Sequence, residues 1–134
     1  MMNKPLSSIM TTQVVSASPD EKLSTIRDIF LNKRFHHIPI TDEQGKLVGI
    51  VTSYDLMKLN IPLSEYDQTP VKEVMTTKVA SLRPEELIGG AARVFLENLF
   101  HGLPIVDDDG KLVGIVTSHD VLEYLYKKEY KDDF

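Results

Sequence analysis

The chain has no cysteine and no tryptophan among its 134 residues. The first absence removes disulfides, thiolate nucleophiles and cysteine-based zinc sites together, and it fits a reducing, cytoplasmic setting. No run approaches the roughly 18 consecutive apolar residues that a membrane span needs. Residues 1–6 (MMNKPL) carry one basic residue and no apolar stretch, so no secretory signal is read there. Positive charge is also in deficit: 15 Lys and Arg against 20 Asp and Glu give a net charge of −5 and a pI near 5.3. That balance disfavours non-specific contact with nucleic acid, where a basic face is expected. There is no Walker-type phosphate loop, no dinucleotide glycine fingerprint and no His-Glu-x-x-His pair. Ser118-His119-Asp120 contains the residue types of a hydrolase triad, but consecutive residues cannot converge as a triad must. No active site and no metal site are read.

What the chain does have is a repeat. Shifted by 65 positions, it aligns on itself without a gap, and about 24 of the 50 positions from 10 to 59 are identical. Met10-Thr11-Thr12 falls on Met75-Thr76-Thr77, Phe35-His36 on Phe100-His101, and Pro39-Ile40 on Pro104-Ile105. The run GKLVGIVTS, 45–53, recurs unchanged at 110–118, with Asp55 on Asp120. Each copy reads as β-α-β-β-α. Val14-Val15 and Val79-Ala80 suggest a short first strand, and Pro19 or Pro84 with acidic neighbours opens a helix. Leu23, Ile26, Ile29 and Phe30 recur at helical spacing, as do Leu87, Ile88, Ala91, Val94, Phe95 and Leu99. Gly89-Gly90 inside the second helix should weaken it by about 1 kcal/mol each, and is read as close packing against a neighbour. Two strands follow around a turn, with Gly45 or Gly110 free to take a positive φ. Asp107-Asp108-Asp109 lacks the spaced ligands of a calcium loop and is read as a solvated turn. A helix then runs from Ser53 to about Leu59, and from Ser118 to about Lys128. The charged end, 127–134, is read as a fraying helix end or tail.

The order of elements, the His-x-[IL]-Pro strand and the Gly-Ile-Val-Thr-Ser-x-Asp run, twice at constant spacing, resemble the cystathionine-β-synthase (CBS) domain. A tandem pair of these is called a Bateman module. The resemblance divides the chain into motif one over 1–63, a linker over 64–70 and motif two over 71–134. It implies an α/β (α+β) fold of two pseudo-two-fold related motifs, packed sheet to sheet with helices outside. It also implies a non-enzymatic regulatory module that needs no cofactor. Such modules bind an adenosine-containing ligand in their clefts, with AMP, ADP or ATP favoured and S-adenosylmethionine or NAD also allowed. A homodimer and a regulated partner protein are expected.

By the same resemblance Asp55 and Asp120 would take the ribose hydroxyls, for which a carboxylate has ample acceptor sites. Thr52, Ser53, Thr117 and Ser118 would meet phosphate, with His36, His37, His101 and His119 as further partners. The adenine would lie against Val14, Ile38 and Pro39 or Val79, Leu103 and Pro104, with Thr12 and Thr77 at its edge. Lys78 and Arg83 are additional basic residues in the second copy. A second role is open for the Thr-x-x-Asp pairs: Thr at the N-cap and an acid at N3 is also a helix capping box. The apolar residues Leu56, Met57 and Leu59, and Val121, Leu122, Leu125 and Tyr126, suggest an alternative without ligand, a module that dimerises or docks.

Overall fold

The computed structural model describes residues 2–33 and 35–130. By its contacts the chain divides into two compact units. One is contiguous, Val15–Val79; the other is split, joining Met1–Val14 to Ala80–Phe134. Each has a two-stranded antiparallel sheet with helices against it.

The contiguous unit holds α1 (Leu23–Asn32), β1 (His37–Thr41), β2 (Leu47–Thr52) and α2 (Ser53–Met57). Leu23 and Ile26 of α1, Ile38 and Ile40 of β1, and Val51 of β2 form its core. The predicted linker is ordered as a 3-10 helix, Leu63–Gln68, whose Tyr66 enters that core. In the split unit α3 (Ile88–Asn98), β3 (Gly102–Val106), β4 (Leu112–Thr117) and α4 (Ser118–Tyr130) repeat the order. Leu6, Ile88, Ala91, Phe95, Leu103, Ile105, Val116 and Val121 make the second core. Of the stripe predicted for α3, Leu87 and Leu99 lie outside. They are the N-cap and C-cap residues, and Leu99 has a left-handed φ of 53° that turns it away from the helical face. α4 runs on through Tyr130; the rest of the predicted tail, 131–134, lies outside the described residues.

Both hairpins follow their sequence closely. Gly45 and Gly110 take φ of +83° and +82°. Asp42 Oδ1 accepts the N–H groups of Gln44 and Lys46, and Asp107 Oδ1 those of Asp109 and Lys111, each at 2.9 Å. The third and fifth residues of the stretch that begins at Asp42 or Asp107 are thereby held by the side chain of its first.

The predicted first strands shrink to single parallel bridges, Ala17 with Ile40 and Leu82 with Ile105. Ala17 N–H donates to the Pro39 carbonyl, and Thr41 N–H to that of Ala17. Extending the ladder would next need an N–H from residue 39 or residue 19. Both are proline, as are 104 and 84 in the other copy, so pairing stops after one bridge.

The opening arm of each repeat belongs to the unit built on the other repeat's hairpin. Thr11 and Ile115 exchange both backbone hydrogen bonds at 2.9 Å, and so do Thr76 and Ile50. Farther back, Leu6 N–H donates to the Glu86 carbonyl and Val71 N–H to that of Glu21, each at 2.7 Å. Lys72 also reaches Asp20 at 2.9 Å; that hydrogen bond, and then the charge of Asp20, hold its ammonium above the ordinary lysine range. A glycine in the identical run makes the arm's approach feasible. A Cβ on Gly114 would stand 2.8 Å from Met10 Sδ and 3.0 Å from the Thr11 carbonyl. Gly114→Ala should therefore cost about 1–3 kcal/mol by pushing the arm off β4. Gly90 has open space where a Cβ would go, contrary to the close packing expected there; Gly89 does meet Met2. Gly90→Ala should stabilise the protein by about 0.5–1 kcal/mol. Urea denaturation of the two variants checks both signs.

Candidate functional site

The sheet of each unit ends where its last strand turns into a helix, and the Thr-Ser-x-Asp run sits at that turn. Thr52 keeps an extended backbone while Ser53 begins α2. Its hydroxyl accepts the Asp55 N–H at 3.1 Å, and its own N–H donates to Asp55 Oδ2 at 2.9 Å. Thr117 and Asp120 repeat the exchange at 3.1 and 2.8 Å. Both pairs are thus capping boxes. The cap uses Oδ2 alone, and each carboxylate is half-buried, so capping and diol binding are compatible.

The histidines gather at the same end. His37 faces Thr52 across the contiguous sheet, and Gly102 takes that place opposite Thr117. Directly opposed residues share a face with Cβ atoms about 5 Å apart. The carbonyls of His36 and His101 accept the N–H groups of Ser53 and Ser118, at 3.1 and 3.0 Å. His119 is exposed on the first turn of α4, 3.9 Å from Glu123.

The arms change how the adenine positions are grouped. Thr12 and Val14 belong to the split unit with Leu103, Pro104 and Asp120, while Thr77 and Val79 accompany Ile38, Pro39 and Asp55. The expected groups, Val14 with Ile38 and Val79 with Leu103, are thus divided between the two units. Ile38, Pro39, Leu103 and Pro104 are buried, and Ile38 and Leu103 belong to the two cores. Val14 and Val79 are half-buried; Thr12 and Thr77 are exposed. Arg83 is drawn to the turn end of its hairpin, where it pairs with Asp108 and lies 3.8 Å from Glu85. That is the opposite end of the hairpin from Thr117. Lys78 lies on the arm of the contiguous unit, two residues past Thr76.

A cavity of about 540 Å³ opens in the split unit between the 3-10 turn Leu6–Ser8 and α4. Ser8 and Ile9 form one wall; Asp120, Glu123, Tyr124, Lys127 and Lys128 form the other. Asp120 is the sequence-predicted residue that lines it. The others lie outside the expected site, although Glu123, Tyr124, Lys127 and Lys128, three, four, seven and eight residues past Asp120, mark one helical face. Lys127 Nζ lies 3.6 Å from Glu123, and Lys128 stands over the Tyr124 ring.

The architecture is thus a tandem one: two small antiparallel sheets with helices, and a capped Thr-Ser-x-Asp turn at the end of each sheet. The CBS domain model matches twice, over 6–61 and 71–127. The chain belongs to the CBS-domain family. It is similar to the structure of CBSX2 in complex with AMP, with 29% identity, TM-score 0.86, and 94% of this chain and 98% of that one covered. It is also similar to the CBS domain pair of protein MJ0100 in complex with 5-methylthioadenosine and S-adenosyl-L-methionine, with 29% identity, TM-score 0.81 and the same coverage. Among curated relatives, the L-aspartate semialdehyde sulfurtransferase of Methanocaldococcus jannaschii is 33% identical over 126 residues, 89% of this chain but 24% of the relative. The inosine-5'-monophosphate dehydrogenase of Aquifex aeolicus is 32% identical over 122 residues, 90% of this chain and 23% of the relative. The chain thus spans about a quarter of the length of these enzymes. No helix among the described residues is long and apolar enough to cross a membrane.

Removing the capping hydroxyl alone separates the two roles of the turn. Thr117→Ala should cost about 0.5–2 kcal/mol of stability, read by thermal denaturation, while leaving the Asp120 carboxylate in place.

Proposed function

We propose that the chain is a regulatory sensor that binds an adenosine-containing ligand at the Thr-Ser-x-Asp turn of each unit and signals to a partner protein. AMP, ADP or ATP is the favoured ligand class, with S-adenosylmethionine and NAD as further adenosine carriers. The observation that carries the reading is the paired turn itself. In each unit a half-buried carboxylate with an oxygen outside the cap stands beside a Ser/Thr pair and a histidine, with the other repeat's arm in the same unit. A carboxylate suits a vicinal diol, and the hydroxyls and backbone N–H groups suit an anion. In this reading Asp55 and Asp120 hold ribose. Thr52, Ser53, Thr117 and Ser118 meet phosphate with His36, His37, His101 and His119. Val14 and Val79, with Thr12 and Thr77, border the base. The AMP bound to CBSX2 and the methylthioadenosine and S-adenosylmethionine bound to MJ0100 support the ligand class. In this reading the CBS pair is regulatory and not itself catalytic; the relatives with enzyme names match it over about a quarter of their length.

A thermal-shift panel of AMP, ADP, ATP, S-adenosylmethionine and NAD tests the proposal. A ligand at 100 times its dissociation constant stabilises a site by about 2.7 kcal/mol, which is about 5–15 °C here. Asp55→Ala with Asp120→Ala should abolish the shift; an unchanged shift in the double variant would remove the ribose assignment.

A dimerisation role rests on a separate observation. Leu56, Leu59, Val121 and Leu125 of the expected apolar faces pack into or against the cores. Met57 and its counterpart Leu122 stay 81% and 65% exposed, and Leu31 and Leu96 stay 73% and 84% exposed. Exposed apolar side chains at the same positions of both units fit an isologous contact with a second copy. Sedimentation should show a dimer that Leu31→Glu with Leu96→Glu converts to monomer. A monomeric parent protein would count against this face.

A further inference from the structure

We propose that the protein dimerises head to tail, the helix pair α1–α2 of one copy packing on the pair α3–α4 of the other. This rests on the dimer reading above and asks which face meets which. α1 and α2 touch within the contiguous unit, as α3 and α4 do within the split one. Leu31 and Met57 are exposed on the first pair, and Leu96 and Leu122 stand at the same positions of the second. The apolar part of the face is therefore shared, and by itself it suits like or unlike pairing equally. The charges beside it differ.

Asp28 lies three residues before Leu31, a neighbour on the same side of α1, and its counterpart before Leu96 is Arg93. Both are well exposed. Lys58 follows Met57 at the end of α2, and its counterpart after Leu122 is Glu123. Each position flanking an exposed apolar residue thus changes sign between the units. The neighbours tip the balance further. Asp28 is met within α1 by Arg27 at 3.7 Å, which leaves Lys58 to make the α1–α2 face positive. Arg93 is met within α3 by Glu97. Glu129, two turns past Leu122, lies on the same side of α4 and is exposed. The lysines of α4 do not reverse this. Lys127 and Lys128 stand about 140° and 120° around the helix from Leu122, where they line the cavity with Asp120 and Tyr124. Lys127, 3.6 Å from Glu123, offsets part of that charge, and Glu129 keeps the face negative. Even with both lysines counted, α3 and α4 hold more carboxylates than cations. Like pairing sets positive on positive and negative on negative. Unlike pairing sets positive against negative, and the two-fold of a closed dimer repeats that contact. Such charges select an orientation more than they add affinity, and salt weakens them.

Because the chain has no cysteine, one introduced thiol is the only thiol present. Leu31→Cys and Leu96→Cys chains are treated with a short bis-maleimide, each alone and after the two are mixed and allowed to exchange subunits. Head-to-tail pairing should give crosslinked dimer in the mixture and little in either variant alone. Crosslinking of a single variant that equals or exceeds that of the mixture would overturn the proposal. Sedimentation at low salt gives a second readout that does not depend on the reach of a crosslinker. Lys58→Glu should weaken the dimer about fivefold, and Glu123→Lys added to the same chain should restore it, since the exchanged charges meet across the two copies. A double variant no tighter than the single one overturns the orientation equally. A parent chain that stays monomeric, or a parent dimer whose variants crosslink in none of the three samples, overturns instead the dimer face beneath it.

Discussion

Everything else in either unit is arranged around one backbone exchange, Thr11 with Ile115 and Thr76 with Ile50. Two antiparallel strands are too few to be stable alone, and a bare hairpin buries little. The arm supplies what is missing. It adds a bridge on the open side of β2 or β4, brings Leu6 or Val71 into the core, and ties down the turn before α1 or α3. Glycine in the middle of those strands is the condition for it. With any side chain at Gly49 or Gly114, the Met75 or Met10 thioether and the adjoining carbonyl would have to move. The identical run in both copies is thus a packing requirement as much as a binding motif.

The Thr-Ser-x-Asp turn inherits its position from that arrangement. The strand that carries the bridge at Ile50 or Ile115 continues directly into the capped turn. A shift of the arm would therefore be felt at the turn proposed to hold the ligand. The cap keeps the helix start and the carboxylate in fixed relation, because each partner holds the other's backbone N–H. Stability draws on one oxygen of the aspartate, and the proposed recognition would draw on the other.

Much of this was legible in the sequence. The hairpins, their glycine turns, the helix stripe of Leu23 and Ile26 and both capping boxes follow from local chemistry, and local chemistry is what a sequence records directly. The first strands misled because Val14-Val15 has strand composition, while its pairing is blocked by one proline a few residues on, Pro19, and another in the partner strand, Pro39. Which unit each arm joins was not legible for another reason. Two near-identical copies satisfy the same pattern whether an arm serves its own hairpin or the other, so self-similarity is silent on the exchange. The apolar face assigned to Leu56 and Leu59 fell to the brevity of α2: five residues are too few for periodicity to tell a core face from an outer one. The residues of the α4 groove carried a helical signal, but a charged stripe reads first as solvated surface.

The exchanged arm also bears on descent. A solitary ancestral copy of the repeat, with its arm reaching for a hairpin that was not its own, could finish a unit only by trading arms with a second molecule. Gene duplication would have fused that obligate pair into one polypeptide. Once fused, the two halves no longer had to be the same, and mutations such as those that now set Lys58 against Glu123 could accumulate in one half without the other following.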